Sequence, residues 1–228
     1  MLDTLTLAAI LIPCLIVAIV FHEVAHGWMA LALGDPTAKE QRRLSLNPIR
    51  HVDPVGTLVV PGALALMGAP IFGWAKPVPV RKDRLDNPRF GMMAVAAAGP
   101  GTNFILAAIG AVVAGLVFGL GLTALEPDSL VFQALTYFIL INIFLGLFNL
   151  LPIPPFDGSH IVGGLLPRSW ARHWQRLQAG GMLFVGVVIL AVWLFPDLGL
   201  FETVIYPPVL WLQEKYLMLA DFVARGVS

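Results

Sequence analysis

Residues 21–30 read FHEVAHGWMA and place His22, Glu23 and His26 inside an otherwise apolar stretch. Ionisable groups in such surroundings carry a desolvation cost, so they call for a partner that offsets it. Their spacing supplies one. Residues i and i+4 share a helix face, so the imidazoles of His22 and His26 can reach a single cation. Glu23, next to the first histidine, is placed to take a proton from water activated by that cation. Catalytic zinc takes three protein ligands and keeps one position open, so a third ligand is required. Most carboxylates of the chain fall in loops. The exception is Asp157, in FNLLPIPPFDGSH (148–160). Pro152, Pro154 and Pro155 cannot continue a regular helix, and Gly158 permits unusual dihedrals. A helix broken there can turn the Asp157 carboxylate toward a neighbour. An ordinary turn aspartate is the other reading of the same residues.

The elements that must position these groups follow from composition. Of 228 residues, 58% are hydrophobic and 12% charged, against about 25% charged in a soluble domain. The chain therefore reads as an all-α polytopic membrane protein. Its net charge of zero leaves no global basic surface for nucleic acid. Apolar stretches run through 4–33, 55–72, 91–121, 130–151 and 180–195, with a weaker one at 203–222. The opening MLDTLTL has no basic flank, so the first stretch reads as a retained spanning helix rather than a signal peptide. All of the 14 Lys and Arg except Lys215 and Arg225 lie in 35–53, 76–89 and 159–178, whereas 122–129 and 196–202 have only acidic charges. The positive-inside rule then puts the three basic segments in the cytoplasm and the two acidic loops outside. Stretch 55–72 has basic flanks at both ends and contains Pro61, Gly62, Gly68 and Pro70. It reads as a re-entrant or interfacial hairpin, well placed to pair with an extended substrate strand. Whether 203–222 spans or lies in the interface is left open by its sequence.

With these motifs in place, the chain resembles the site-2 protease family of intramembrane zinc metalloproteases. The resemblance rests on HEVAH in the first membrane segment and on the pattern N-x-x-P-x-P-x-x-D-G from Asn149 to Gly158. RRLSLNPIRHVDPVGT (42–57), GWAKPVPV (73–80) and GPGTN (99–103) are also similar to that family's connecting motifs. It covers roughly residues 20 to 165. The family implies three core spanning helices, with one zinc ion per chain held inside the bilayer toward the cytoplasm. Carried over by position, it makes His22, His26 and Asp157 the metal ligands and Glu23 the catalytic base or acid. Asn149 is then the asparagine that binds the substrate backbone or the oxyanion. The chain is expected to be one membrane metalloprotease domain over 1–228, with a core at about 4–165 and extra C-terminal helices at 180–224. It resembles the compact subgroup, with no PDZ domain inserted. The implied activity is hydrolysis of peptide bonds within or near spanning segments. The implied partners are a single-pass membrane substrate and lipids, and the implied place is the bacterial inner membrane.

Two readings from other classes compete. A membrane metal transporter also uses buried histidines and aspartate, but it gives no reason for a glutamate beside the first histidine. A non-catalytic scaffold would not need the intact His-Glu-x-x-His and Asp157. Other polar residues have plainer readings. Asn103 caps a helix or hydrogen-bonds across the bundle. His51 and Asp53 take solvated or turn roles. His160, three residues after Asp157, could support the site, and His173 is a surface residue. Lys76 marks the inner interface. Cys14, the single cysteine, packs in the core or against lipid. Ala111, Gly115 and Gly119, four apart, allow close helix packing within the chain.

Overall fold

The computed structural model describes residues 4–68, 73–122, 129–195, 199 and 201–228. Helix α1 is Thr4–Ala32, α2 Thr37–Glu40, α3 Val60–Leu66, α4 Pro88–Gly119 and α5 Leu130–Asn149. Then follow α6 Asp157–Leu165, α7 Arg168–Ala179, α8 Gly181–Leu194 and α9 Tyr206–Val227. No strand occurs among the described residues. Helices α1, α4 and α5 have 29, 32 and 20 residues and are apolar enough to cross a membrane. Crossing asks for about 20 apolar residues. The 14 residues of α8 reach only about 21 Å at 1.5 Å per residue, short of the hydrocarbon thickness. The protein is a multi-pass, all-α membrane protein.

The chain forms two compact units. The first comprises residues 1–19, 100–148 and 201–228. Its core is Ala107, Ala111, Ala114, Ile139, Ile143, Val209 and Ala220, alanines of α4 against isoleucines of α5 and Val209 and Ala220 of α9. At Gly115 a Cβ would come within 2.5 Å of the Ala220 carbonyl oxygen, and at Gly119 within 2.6 Å of that of Ala224. The small-residue stripe is thus the seam where α4 and α9 backbones meet inside the chain. Asn103, fully buried, donates from Nδ2 to Ala18 O (3.2 Å) and to Asn142 Oδ1 (3.0 Å). Asn142 donates in turn to Phe138 O at 2.9 Å. Of the two readings of Asn103, the cross-bundle hydrogen bond is the one found.

The second unit comprises residues 20–99 and 149–200. Ala30, Leu85 and Val95 are buried together in it, flanked by Met29, Leu33, Val80 and Met92. Its connecting segments are pinned by backbone accounting. Asp35, fully buried, accepts from the Thr37 hydroxyl, from Thr37 N–H and from Arg81 N–H at 2.6 Å. Burial works to raise its pKa, but these hydrogen bonds outweigh it and hold the carboxyl below its ordinary value. Stretch 55–72 is helical over residues 55–66 and turns at 67–68. A π-helical turn at Pro54–Val59 leads into α3, and Asp53 caps it by accepting from Val55 and Gly56 N–H. Residues 69–72 lie outside the described residues. A helical 54–66 offers no free strand edge, so the expected strand pairing there is not supported. The non-helical run is 73–81 instead, where Pro77 and Pro79 bar a helix.

Candidate active site

Helix α1 supplies the first two groups. His22 and His26 are buried, at 7% and 9% exposure. His26 Nδ1 lies 2.7 Å from Val95 O of α4. A carbonyl only accepts, so the proton sits on Nδ1 and the Nε2 lone pair is turned to the other side. That side holds His22 Nε2, at 3.0 Å. The third group arrives from a distant part of the chain. After α5 the chain bends through Pro152, Pro154 and Pro155, and α6 begins at Asp157. The bend folds back on itself so tightly that a Cβ at position 158 would lie 2.2 Å from Leu150 O, so only glycine fits there. Asp157 Oδ2 comes within 3.1 Å of His22 Nε2 and 3.3 Å of His26 Nε2.

Three potential ligand atoms thus form a triangle with edges of 3.0, 3.1 and 3.3 Å. Zinc bonds of about 2.0–2.2 Å at tetrahedral angles require edges of about 3.3–3.6 Å. Despite its short approaches to both imidazoles, buried Asp157 Oδ2 makes no hydrogen bond of acceptable geometry. With the His26 proton on Nδ1, its Nε2 lone pair faces the Asp157 carboxylate oxygen, a repulsion that a cation removes. Gly99 supplies the room: a Cβ there would lie 2.5 Å from His26 Nε2 and 2.6 Å from His22 Cε1. The donor set and the orphaned oxygen fit zinc, with the two shorter edges having to open slightly to admit it.

Glu23 is only partly buried, and its Oε2 accepts from Val78 N–H at 2.8 Å. The segment carrying Val78 is strapped along its length. Trp74 N–H donates to Gly56 O, Lys76 N–H to His51 O, and Arg43 Nη2 donates to Lys76 O at 2.7 Å. Arg43 was not singled out from sequence. Its signal, a basic residue buried to 8% exposure, exists only in the fold. His51 corrects the solvated reading, though not the turn reading: it is 2% exposed, with Nε2 2.7 Å from Ser45 O. Asn149 is the last residue of α5 and partly buried. His160 pairs with Gln178 of α7 at 3.3 Å. Burial, aided by the charge of Lys82, holds the His160 imidazole below its ordinary pKa. His173 is exposed, as expected. Sequence left 159–178 as a polar connection; it folds as α6 and α7.

Residues 124–193, which include Asp157, match the model of peptidase family M50. A Bacillus subtilis (strain 168) protein named "Putative zinc metalloprotease YwhC" is 39% identical over 180 residues, 78% of this chain and 79% of the relative. The chain belongs to peptidase family M50. This site-2 protease is a zinc metalloprotease that works within the membrane. "Putative zinc metalloprotease MJ0611" of Methanocaldococcus jannaschii is 31% identical to the protease over 145 residues, 63% of each chain. "Putative zinc metalloprotease Rip3" of Mycobacterium tuberculosis is 34% identical over 111 residues, 48% of the protease but 26% of that relative. No solved structure matches the protease.

Proposed function

We propose that His22, His26 and Asp157 hold the zinc of this intramembrane protease and that Glu23 is its general base. One observation carries the reading: the near-equal 3.0, 3.1 and 3.3 Å separations of two Nε2 atoms and a carboxylate oxygen. When bound, zinc supplies Lewis acidity, bringing the pKa of a bound water to about 7 and polarising a scissile carbonyl. The chain's own groups do the remaining work. Val95 O keeps His26 in the ligating tautomer. Val78 N–H engages Glu23 Oε2, leaving Oε1 to take a proton from the attacking water and pass it to the leaving amine nitrogen. Asn149 orients the substrate backbone or the oxyanion, a role taken from the family motif.

The substrate is a single-pass membrane protein whose helix unwinds locally, since helical carbonyls are already hydrogen-bonded. Residues 1–228 form one protease domain, with its core at about 4–165 and added helices at 180–224. The site faces the cytoplasm of a bacterial cell. The clustering of basic residues in 35–53, 76–89 and 159–178 supports that orientation. A cysteine at position 39 or 82 is then labelled only from the cytoplasm; labelling of 82 from outside would mean that 55–72 spans.

The decisive variant for the chemistry is Glu23→Gln in the reconstituted full chain. Its amide keeps the side chain's shape but cannot take the proton. Proteolysis of a membrane substrate falls at least about 100-fold, while zinc measured by atomic emission stays at the native ratio. Loss of zinc together with activity would make Glu23 a ligand instead.

A further inference from the structure

A second concave site lies one helical turn beyond Asp157. It is a cavity of about 170 Å³ lined by Lys82, Arg89, Met92, His160, Trp174 and Gln178 together with Gly163 and Gly164. No carboxylate lines it. The neighbouring cations Arg81 and Arg84 are each paired, with Asp83 and Glu40. Among the described residues no carboxylate pairs with Lys82 or Arg89. Arg89 is instead fixed by backbone: Nε donates to Gly164 O and Nη2 to Leu166 O. Its charge is thus pre-positioned without being neutralised. Asp157, the acidic residue nearest on α6, is engaged with the two histidines.

The wall formed by α7 has its own chemistry. Its sequence, RSWARHWQRLQA, holds Arg168, Arg172 and Arg176 at four-residue spacing and no acidic residue. Trp170 and Leu177 belong to another arc of the helix and are 65% and 61% exposed. Trp174 donates its indole N–H to Ser159 O of α6 at 2.8 Å. A basic arc with an exposed Trp and Leu arc is the pattern of a helix lying in the membrane interface. A helix in that position would bury its apolar arc among acyl chains and set the adjoining cavity at the level of the headgroups.

We propose that this cavity binds the phosphate headgroup of an anionic phospholipid, with Lys82 and Arg89 opposing its charge. The cavity holds a phosphate but not the acyl chains, which continue along Trp170 and Leu177. That continuity favours a lipid over a free anion. Occupancy would brace α7 against Ser159 and His160, and so α6, the helix that begins at Asp157. The inference needs the protein to be in a membrane; it does not need the zinc assignment.

Native mass spectrometry of the detergent-purified full chain tests it, with phosphatidylglycerol, phosphatidylcholine and inorganic phosphate as separate probes. Phosphatidylglycerol is retained in preference to phosphatidylcholine. One basic side chain near a lipid surface accounts for about fivefold in affinity. Lys82→Gln therefore weakens retention about fivefold and Lys82→Glu on the order of 30-fold. Lys82→Arg restores it, and Lys39→Glu, an equal charge change at an exposed position of α2, leaves it unaltered. Lys82 is exposed, so these variants keep the fold, checked by thermal unfolding. Equal retention of the two lipids, or indifference to Lys82→Glu, overturns the proposal. Inorganic phosphate binding as tightly as the lipid makes this a free-anion site. Displacement of the lipid by an acidic peptide makes it a substrate subsite. Either result also overturns the proposal.

Discussion

Two buried polar clusters in this chain are built from similar parts and end differently. Around Asn103, each described amide contact pairs a donor with an acceptor: Asn103 Nδ2 with Ala18 O and Asn142 Oδ1, and Asn142 Nδ2 with Phe138 O. Around His22, two imidazole nitrogens and a carboxylate oxygen converge, and Asp157 Oδ2 has no hydrogen bond of acceptable geometry. The first cluster is closed and works as glue between helices. The second is the set of groups proposed to hold zinc. Buried polarity in a membrane protein thus has two physical meanings, separated by whether donors and acceptors balance within the chain.

The comparison is broken most directly at its open cluster. Asp157→Ala removes one of the three proposed ligands, so zinc affinity is expected to fall by more than about 100-fold and proteolysis to disappear with it. Zinc content and X-ray absorption of the purified variant measure the first, cleavage of a reconstituted substrate the second. Retention of a full complement of zinc would move the third ligand elsewhere, with His160 the first residue to check. Glu126→Ala, which falls outside the described residues, serves as the control and changes neither.

Changes in the first unit should cost stability rather than metal. Gly115→Val drives a branched side chain into the Ala220 carbonyl, 2.5 Å from where its Cβ must stand. Overpacking of this kind costs about 1–3 kcal/mol, read as a lower unfolding midpoint in detergent at unchanged zinc content. If Gly115→Val left the midpoint unchanged, the α4–α9 seam would not be a packing constraint. The smallest effect is expected of Asn103→Ala. It leaves Asn142 Oδ1 without this donor and costs about 0.6–2 kcal/mol, again with zinc retained. Zinc loss in that variant would show that the two clusters are not independent.

The helices were legible because an apolar run long enough to cross a bilayer can satisfy its backbone there only as a helix. Expected limits of 4–33, 91–121 and 130–151 correspond to Thr4–Ala32, Pro88–Gly119 and Leu130–Asn149. Helices α6 and α7 were not legible. Asp157–Leu165 contains three glycines in nine residues, and Arg168–Ala179 is strongly basic. Both are held by contacts such as Trp174 with Ser159, which propensity does not record.

Local spacing also determined half of the site. His22 and His26 share a helix face whatever the rest of the chain does, because 3.6 residues make a turn. The sequence could nominate Asp157, since prolines and a glycine mark a break, but it could not bring residue 157 to residues 22 and 26. That step depends on Leu150 O passing so near Gly158 and on Gly99 leaving space for both imidazoles. Only the tertiary structure placed Val78 N–H on Glu23, buried Arg43 beneath the 73–81 segment and turned His51 inward. Each of these depends on which unpaired backbone group a side chain meets after the helices pack, and that is set by distances across the fold rather than by neighbours along the chain.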